Sequence, residues 1–253
     1  MRVSRAPNIV CAVLLTLAGC SKPPEPTRQL PPTTLPTAPE PAEETAAETE
    51  PPAESGLAIK RGIVTLAADH AAFSPCGEQA NLWMIDQTEG LLTRTFAGEK
   101  PADGAALKVY IEAYGERATT AEDLPANATG YSGVFVLEEV LYATAPPTQE
   151  SCESGRSDYI VAASGSEPSW SADVTEAALI WHQSDEPTEI SLPAPQTQDS
   201  EGAVSYTAAT KDHQVELMIE AQACRSMSGA YFAYAARAKL DGKEFVGCAR
   251  VGR

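Results

Sequence analysis

The sequence predicts an all-β protein with two small antiparallel barrel-like or OB-like domains, each with one disulfide, after a disordered tether. Three observations support this prediction. From about residue 57 onward, short apolar alternations are separated by turn residues, a pattern typical of β-strands. Four cysteines are spread through the same part of the chain, two in each half. A long segment rich in proline and glutamate precedes them.

The first predicted domain covers residues 57–154. Residues 108–113 alternate strictly, with Val109, Ile111 and Ala113 on one side of the predicted strand. Residues 134–137 continue in the same style after Gly130. Residues 90–96 are predicted to form a helical turn between strands. A domain of this length is large enough to hold one small β-barrel.

The second predicted domain covers residues 160–253, after a break rich in serine and glycine at residues 152–166. The dipeptide Asp241-Gly242 is a strong signal for a two-residue hairpin turn. We expect Trp170 and Trp181 to fill the interior of this domain, since buried aromatic side chains dominate small cores. The predicted strands are residues 169–175, 178–183, 189–192, 203–208, 213–221, 231–240 and 243–250.

The first 19 residues have the layout of a secretory signal peptide, with Arg2 and Arg5 followed by a short apolar run. This run is too short to span a membrane. The sequence Leu17-Ala18-Gly19-Cys20 resembles the bacterial lipobox. That resemblance implies that Cys20 is acylated, with palmitate among its fatty acids, and becomes the first mature residue. The alternative is an ordinary signal peptide cut near Ala18, which would leave Cys20 free.

Residues 20–56 are predicted to be a disordered tether, because ten of the twenty prolines lie between Pro23 and Pro52 and large apolar side chains are scarce. Such a segment favours extended conformations. The net charge of −17 becomes −19 once Arg2 and Arg5 are removed with the signal peptide. A chain this acidic repels nucleic-acid phosphates, so we expect no nucleic-acid partner.

The four cysteines beyond Cys20 permit three disulfide pairings. If the two domains fold independently, the natural choice is Cys76–Cys152 and Cys224–Cys248. Export to an oxidising compartment makes both bonds plausible. Cys76–Cys152 is either a structural bond or a redox-sensing one, and the sequence leaves both hypotheses open.

No motif for catalysis, metal or cofactor binding is present in the sequence. It contains no Gly-x-Ser-x-Gly, phosphate-binding or His-Glu-x-x-His pattern, no Cys-x-x-Cys, and its three histidines are scattered. We therefore expect a non-enzymatic protein without metal or cofactor. The candidate recognition loop is formed by Arg225, Met227, Ser228 and Gly229, because binding residues often lie on loops held by a rigid scaffold. The alternative is a plain turn beside Cys224.

Two further resemblances involve the domains. The segments Gly62-Ile63-Val64, Phe73-Ser74-Pro75-Cys76, Leu91-Leu92 and residues 109–115, with Cys152 closing the region, resemble the C-terminal domain of the NlpE family of outer-membrane lipoproteins. This resemblance implies an OB-type five-stranded barrel with one disulfide between an early and a late cysteine. The copper-associated Cys-x-x-Cys of that family is absent, so copper binding is not carried over.

Residues 165–170, 224–229, 231–234 and 247–249 resemble a disulfide-bonded β domain of uncharacterised bacterial lipoproteins and membrane proteins. That family implies no reaction. The small disulfide-bonded barrel is also similar to lysozyme inhibitors of the MliC type.

Together these observations predict a non-enzymatic lipoprotein of the cell envelope that acts in envelope maintenance or stress sensing by binding a protein or ligand. Ser21 after the acylated cysteine favours the outer membrane, facing the periplasm, with exposure at the cell surface left open. Its expected partners are the membrane, through the N-terminal lipid, and an unidentified envelope protein or ligand. The alternatives are an inhibitor of a cell-wall lytic enzyme, suited by acidic charge to a basic target, and a small-ligand carrier.

Overall fold

The computed structural model describes residues 58–118, 128–148, 151–153, 159–184 and 186–252, without the side chains of residues 186–188. All of these residues belong to one compact unit, Glu54–Arg253. The predicted signal peptide, acylated Cys20 and the whole of the tether lie outside the described residues. No helix within the described ranges is long and apolar enough to cross a membrane.

The first half forms a closed barrel of five strands with OB-like topology. The elements are β1 Lys60–Leu66, β2 Ala71–Pro75, β3 Leu82–Asp86, α1 Leu91–Thr95, a 3₁₀ turn Ala97–Glu99, β4 Leu107–Ala118 and β5 Val134–Thr144. Strand β2 pairs antiparallel with β1 and β3, and β3 pairs in parallel with β5. Strand β4 pairs antiparallel with both β5 and β1, which closes the barrel. The short helix α1 confirms the predicted helical turn.

Strand β4 shows how the alternating sequence produces this barrel. Val109, Ile111 and Ala113 point into the core, as their spacing predicts, and all three are fully buried. The opposite face of β4 would face water in an isolated barrel. Instead Tyr110 and Glu112 are also buried there, at 2% and 1% exposure. This outer face is therefore covered by another part of the molecule.

The second half forms a nine-stranded antiparallel sheet in the described part of the chain. The sheet curls into a half-barrel around its own core. Trp170 and Trp181 stack in that core with ring centroids 4.9 Å apart, and Trp181 is also 4.9 Å from Phe245. Its strands are β6 Val161–Ser166, β7 Ser169–Val174, β8 Ala178–Gln183, β9 Glu186–Pro193, β10 Gln196–Ser200, β11 Ala203–Ala209, β12 Gln214–Glu220, β15 Tyr234–Leu240 and β16 Lys243–Val251. Across the sheet they lie in the order β10-β11-β12-β15-β16-β6-β7-β8-β9.

Strand β6 lies where the sequence indicated a break rich in serine and glycine. Its small residues are needed because the sheet is tightly packed there. A Cβ atom on Gly165 would overlap both the Val246 carbonyl oxygen and the indole nitrogen of Trp170. Trp170 donates a hydrogen bond to that same carbonyl oxygen, at 3.1 Å. Composition alone therefore misidentified a strand as a linker.

The predicted strand at residues 231–240 is divided between the two sheets. Tyr231–Phe232 forms β14, which pairs with Cys224–Arg225 (β13) on one side and with β5 of the barrel on the other. The chain then passes Ala233, whose N–H donates to the Leu141 carbonyl oxygen, and enters β15 of the second sheet. The hairpin β13–β14 thus extends the barrel sheet to seven strands among the described residues.

The structure contains the disulfides Cys76–Cys152 and Cys224–Cys248, with Cα atoms 5.3 and 5.6 Å apart. The first joins the end of β2 to the segment after β5. The second has a consequence that sequence position does not show, because Cys224 lies on the hairpin of the barrel sheet and Cys248 on β16 of the other sheet. It therefore cross-links the two sheets. The predicted fold class, all-β with barrel-like architecture and two disulfides, is confirmed.

Candidate functional sites

A buried ionic cluster joins the two sheets around Glu112. This carboxylate on β4 is almost fully buried and accepts hydrogen bonds from Arg61 Nε at 3.3 Å and the Tyr110 hydroxyl at 3.0 Å. Arg250 on β16 donates to both carboxylate oxygens through its Nη2 and Nε atoms. The Arg250 guanidinium also lies 4.0 Å from the centroid of the Tyr142 ring. Charge from both halves of the chain meets at this one carboxylate.

The electrostatics of the cluster favour the charged form of Arg250 and the neutral form of Tyr110. Burial opposes the charge on Arg250, but the charge and hydrogen bonds of Glu112 outweigh it and raise the pKa of the guanidinium. Burial, with the nearby Glu112 charge and its hydrogen bond, raises the pKa of Tyr110 far above the ordinary range. Because Glu112 is enclosed and engaged by three donors, we interpret the cluster as structural. The cluster connects β4 of the barrel sheet with β16 of the second sheet.

The predicted recognition loop connects β13 and β14. Arg225 Nη2 donates to the Gly229 carbonyl oxygen at 2.9 Å, which closes the loop. The hydroxyls of Ser226 and Ser228 are 2.8 Å apart, and Ser226 also accepts the N–H of Ala230 at 3.1 Å. Gly229 adopts a φ of 85°, which glycine reaches without strain. The loop is therefore held in one conformation by its own hydrogen bonds and by the adjacent disulfide.

An open groove of about 380 Å³ runs beside this loop. Its walls are the β6–β7 turn, the loop itself and residues 246–248 of β16. Met227 and Val246 border it and are 76% and 63% exposed, respectively, which is unusual for large apolar side chains. Arg225 and Glu167 supply opposite charges along the same groove. Such a surface can contact an apolar side chain flanked by polar groups.

A second groove, of about 450 Å³, opens beside the Cys76–Cys152 disulfide. The cationic side chains on its rim are Lys60, Arg61 and Arg117, but Arg61 is bound to Glu112 and Arg117 to Glu78 at 2.7 Å. The rim charges are thus largely neutralised by the protein itself. This groove offers little free charge to a ligand.

Sequence reasoning missed a cluster of three aromatic side chains on the outside of the barrel. His70 precedes β2, Trp83 lies on β3 and Tyr131 precedes β5. The rings of His70 and Trp83 stack at 5.3 Å, and Tyr131 meets Trp83 edge-on at 5.4 Å. All three side chains are partly exposed. The first and last of these residues, His70 and Tyr131, are 61 positions apart in the chain, so no local sequence pattern could have identified the cluster. The OB-like topology brings them together.

Asp69 lies at the edge of the aromatic cluster. Its carboxylate is 2.8 Å from Nδ1 of His70 and its side chain is 87% exposed. The hydrogen bond with His70, followed by the backbone N–H of Asp69 itself, lowers the pKa of this carboxyl. The cluster therefore combines ring surface with an ionised hydrogen-bond acceptor.

The described residues contain no group of three or more histidine, cysteine, aspartate or glutamate side chains arranged to hold a metal ion. Comparisons of the chain with protein-family models, with curated proteins and with solved structures found no match. The resemblances noted in the sequence therefore remain predictions, and function has to be argued from the sites above.

Proposed function

We propose that this protein is a non-enzymatic lipoprotein of the outer membrane that acts in envelope maintenance or stress sensing by binding another envelope protein. The lipobox-like Leu17-Ala18-Gly19-Cys20 and the proline-rich tether support the anchored location. The observation that carries the binding function is the loop Arg225–Gly229, which exposes Met227 on a backbone that is already ordered. A preorganised loop binds with a smaller entropy cost than a mobile one.

The architecture supports this function in a second way. The disulfide Cys224–Cys248 and the Glu112 cluster hold the two sheets as one body, so the loop cannot move independently of the barrel. The tether precedes a rigid folded unit, and the loop lies on that unit. This arrangement is suited to reach a partner that is itself fixed in the envelope. The absence of catalytic motifs in the sequence favours binding over catalysis.

The anchor is tested by fractionating envelopes of the native host and determining the N-terminus by mass spectrometry. We expect the mature protein in the outer-membrane fraction with an acylated Cys20. The variant Cys20→Ser should lose the lipid and accumulate as unprocessed precursor. An unmodified N-terminus, or wild-type protein found in the inner membrane, would contradict the proposal.

The binding function is tested by placing a photoreactive amino acid at position 227 and cross-linking in intact cells. We expect a discrete adduct of defined mass from position 227. Position 211, where Lys211 is 88% exposed on the turn between β11 and β12, provides the matched control and should give none. Equal adducts from both positions, or none from position 227, would refute the proposed role of the loop.

The alternative of a lytic-enzyme inhibitor is tested with the same protein by following lysis of cell walls by lysozyme. The assay needs the whole mature chain, because residues 160–253 alone would lack β5, the strand with which β14 pairs. Undiminished lysis at micromolar protein would remove this alternative.

A further inference from the structure

We propose that the aromatic cluster His70, Trp83 and Tyr131 is a binding surface for a neutral glycan chain. Each side chain comes from a different part of the barrel, and the folded chain brings their rings into one continuous surface. The cluster is separate from the loop Arg225–Gly229, so this inference does not depend on the proposed function.

The position of the cluster supports binding rather than packing. In OB-type barrels the face of strands 2 and 3, together with the loops between strands 1 and 2 and between strands 4 and 5, is where oligonucleotides and oligosaccharides bind. Here His70 belongs to the loop between β1 and β2, Trp83 lies on β3, and Tyr131 belongs to the loop between β4 and β5. Three independent segments thus supply one aromatic residue each to that face.

The exposure of Trp83 contrasts with that of the other two tryptophans of the chain. Trp170 and Trp181 are 3% and 0% exposed and stack inside the second sheet, whereas Trp83 points away from the barrel core and is partly open to water. On the same outer face of β3, Ile85 is 38% exposed. The outward face of β3 therefore presents apolar surface that core packing does not use.

The chemistry of the surface favours a neutral glycan over a nucleic acid. With a net charge of −17, the chain repels phosphate-bearing chains, although their bases would also stack on aromatic rings. A sugar ring presents an apolar C–H face to an aromatic ring and hydroxyl groups to its edge. At that edge the exposed carboxylate of Asp69 can accept hydrogen bonds from hydroxyls. The three ring centroids lie 5.3 to 6.1 Å from one another, so the rings form one compact surface for a short stretch of glycan.

The test uses Trp83 as its own reporter, since the two other tryptophans are buried. Acrylamide quenching of tryptophan fluorescence is measured with increasing chitotetraose or cellotetraose, both uncharged. We expect at least one of these glycans to protect the accessible tryptophan in a saturable manner. The variant Trp83→Phe should remove the accessible component altogether, which identifies the signal.

Binding is assigned to the cluster by the variants His70→Ala and Tyr131→Ala. Each should weaken glycan binding about tenfold, because an aromatic contact is worth roughly that factor. Tyr114→Ala is the matched control, a partly exposed tyrosine on β4 outside the cluster, and should leave binding unchanged. Near-ultraviolet circular dichroism of the stacked Trp170–Trp181 pair shows whether each variant is folded.

Three results would overturn the proposal. The first is the absence of saturable protection by both glycans. The second is equal affinity in wild type, His70→Ala and Tyr131→Ala, each folded by circular dichroism. The third is stronger binding of a sulfated glycan than of either neutral one, which would indicate charge rather than ring stacking.

Discussion

Replacing Glu112 with glutamine tests whether the buried ionic cluster holds the two sheets together. Glutamine has nearly the same shape but no charge, and its amide nitrogen places a donor opposite the donors of Arg250. Removing one partner of a buried ion pair costs about 3–5 kcal/mol. Arg61 and Arg250 are 25% and 21% exposed, so water screens part of the remaining charge. We therefore expect the lower end of that range, about 3 kcal/mol.

For a unit of this size, a loss of about 3 kcal/mol corresponds to a decrease in Tm of roughly 6–12 °C. Thermal and urea unfolding at neutral pH, followed by circular dichroism, would measure it. Glu138→Gln is the matched control, because Glu138 is exposed on the neighbouring strand β5. A cycle with Arg250→Met should show that the double variant is less destabilised than the sum of the single variants.

The effect should also depend little on salt, since a buried pair is poorly screened. A Glu112→Gln protein whose stability lies within about 0.5 kcal/mol of Glu138→Gln would refute the reasoning. So would additive effects in the cycle. Either result would mean that the cluster forms because the two sheets pack together and does not stabilise that packing.

Three further predictions concern backbone packing and pH. Gly247→Ala should destabilise the protein by about 2 kcal/mol or more in urea unfolding, because its Cβ would overlap the Ser164 carbonyl oxygen. Gly98→Ala is the control, since a Cβ there meets open space without a positive φ, and it should change the urea midpoint little. The hydrogen bond from His213 lowers the pKa of the Asp241 carboxyl in the folded protein below its value of 3.8 in the unfolded chain. The ionised carboxylate therefore stabilises the fold above pH 3.8, and this stabilisation is lost as the pH falls through the folded-state pKa. Asp241→Asn should therefore be less stable than wild type at neutral pH, and the difference in urea midpoint should disappear in strong acid; a constant difference would contradict this. Burial raises the pKa of Tyr110, so its phenol ionises at a lower pH in the unfolded chain than in the folded protein. The stability of the fold should therefore decrease above pH 10, together with a cooperative phenolate signal in ultraviolet titration. Non-cooperative ionisation of every tyrosine near its ordinary pKa would be inconsistent with a buried phenol.

Local patterns were sufficient wherever neighbouring residues carried the information. The alternation of Val109, Ile111 and Ala113 predicted the inward face of β4, and Asp241-Gly242 predicted a hairpin, which the structure forms with a φ of 50° at Asp241 and 87° at Gly242. Strand β10 was missed because all five of its residues are exposed and polar, so it has no apolar alternation. An edge strand with one neighbour needs no buried face.

The sequence by itself determined the all-β class, the Asp241-Gly242 hairpin turn and the buried tryptophans, because each depends on residues close together in the chain. A secreted, anchored chain stays a prediction from the sequence. Only the tertiary structure decided that the hairpin β13–β14 joins the barrel sheet, that Cys224–Cys248 cross-links the two sheets, and that Glu112 meets Arg250. It also assembled His70, Trp83 and Tyr131 into one surface. These contacts join residues far apart in the chain, and their partners are selected by sheet closure rather than by any local preference.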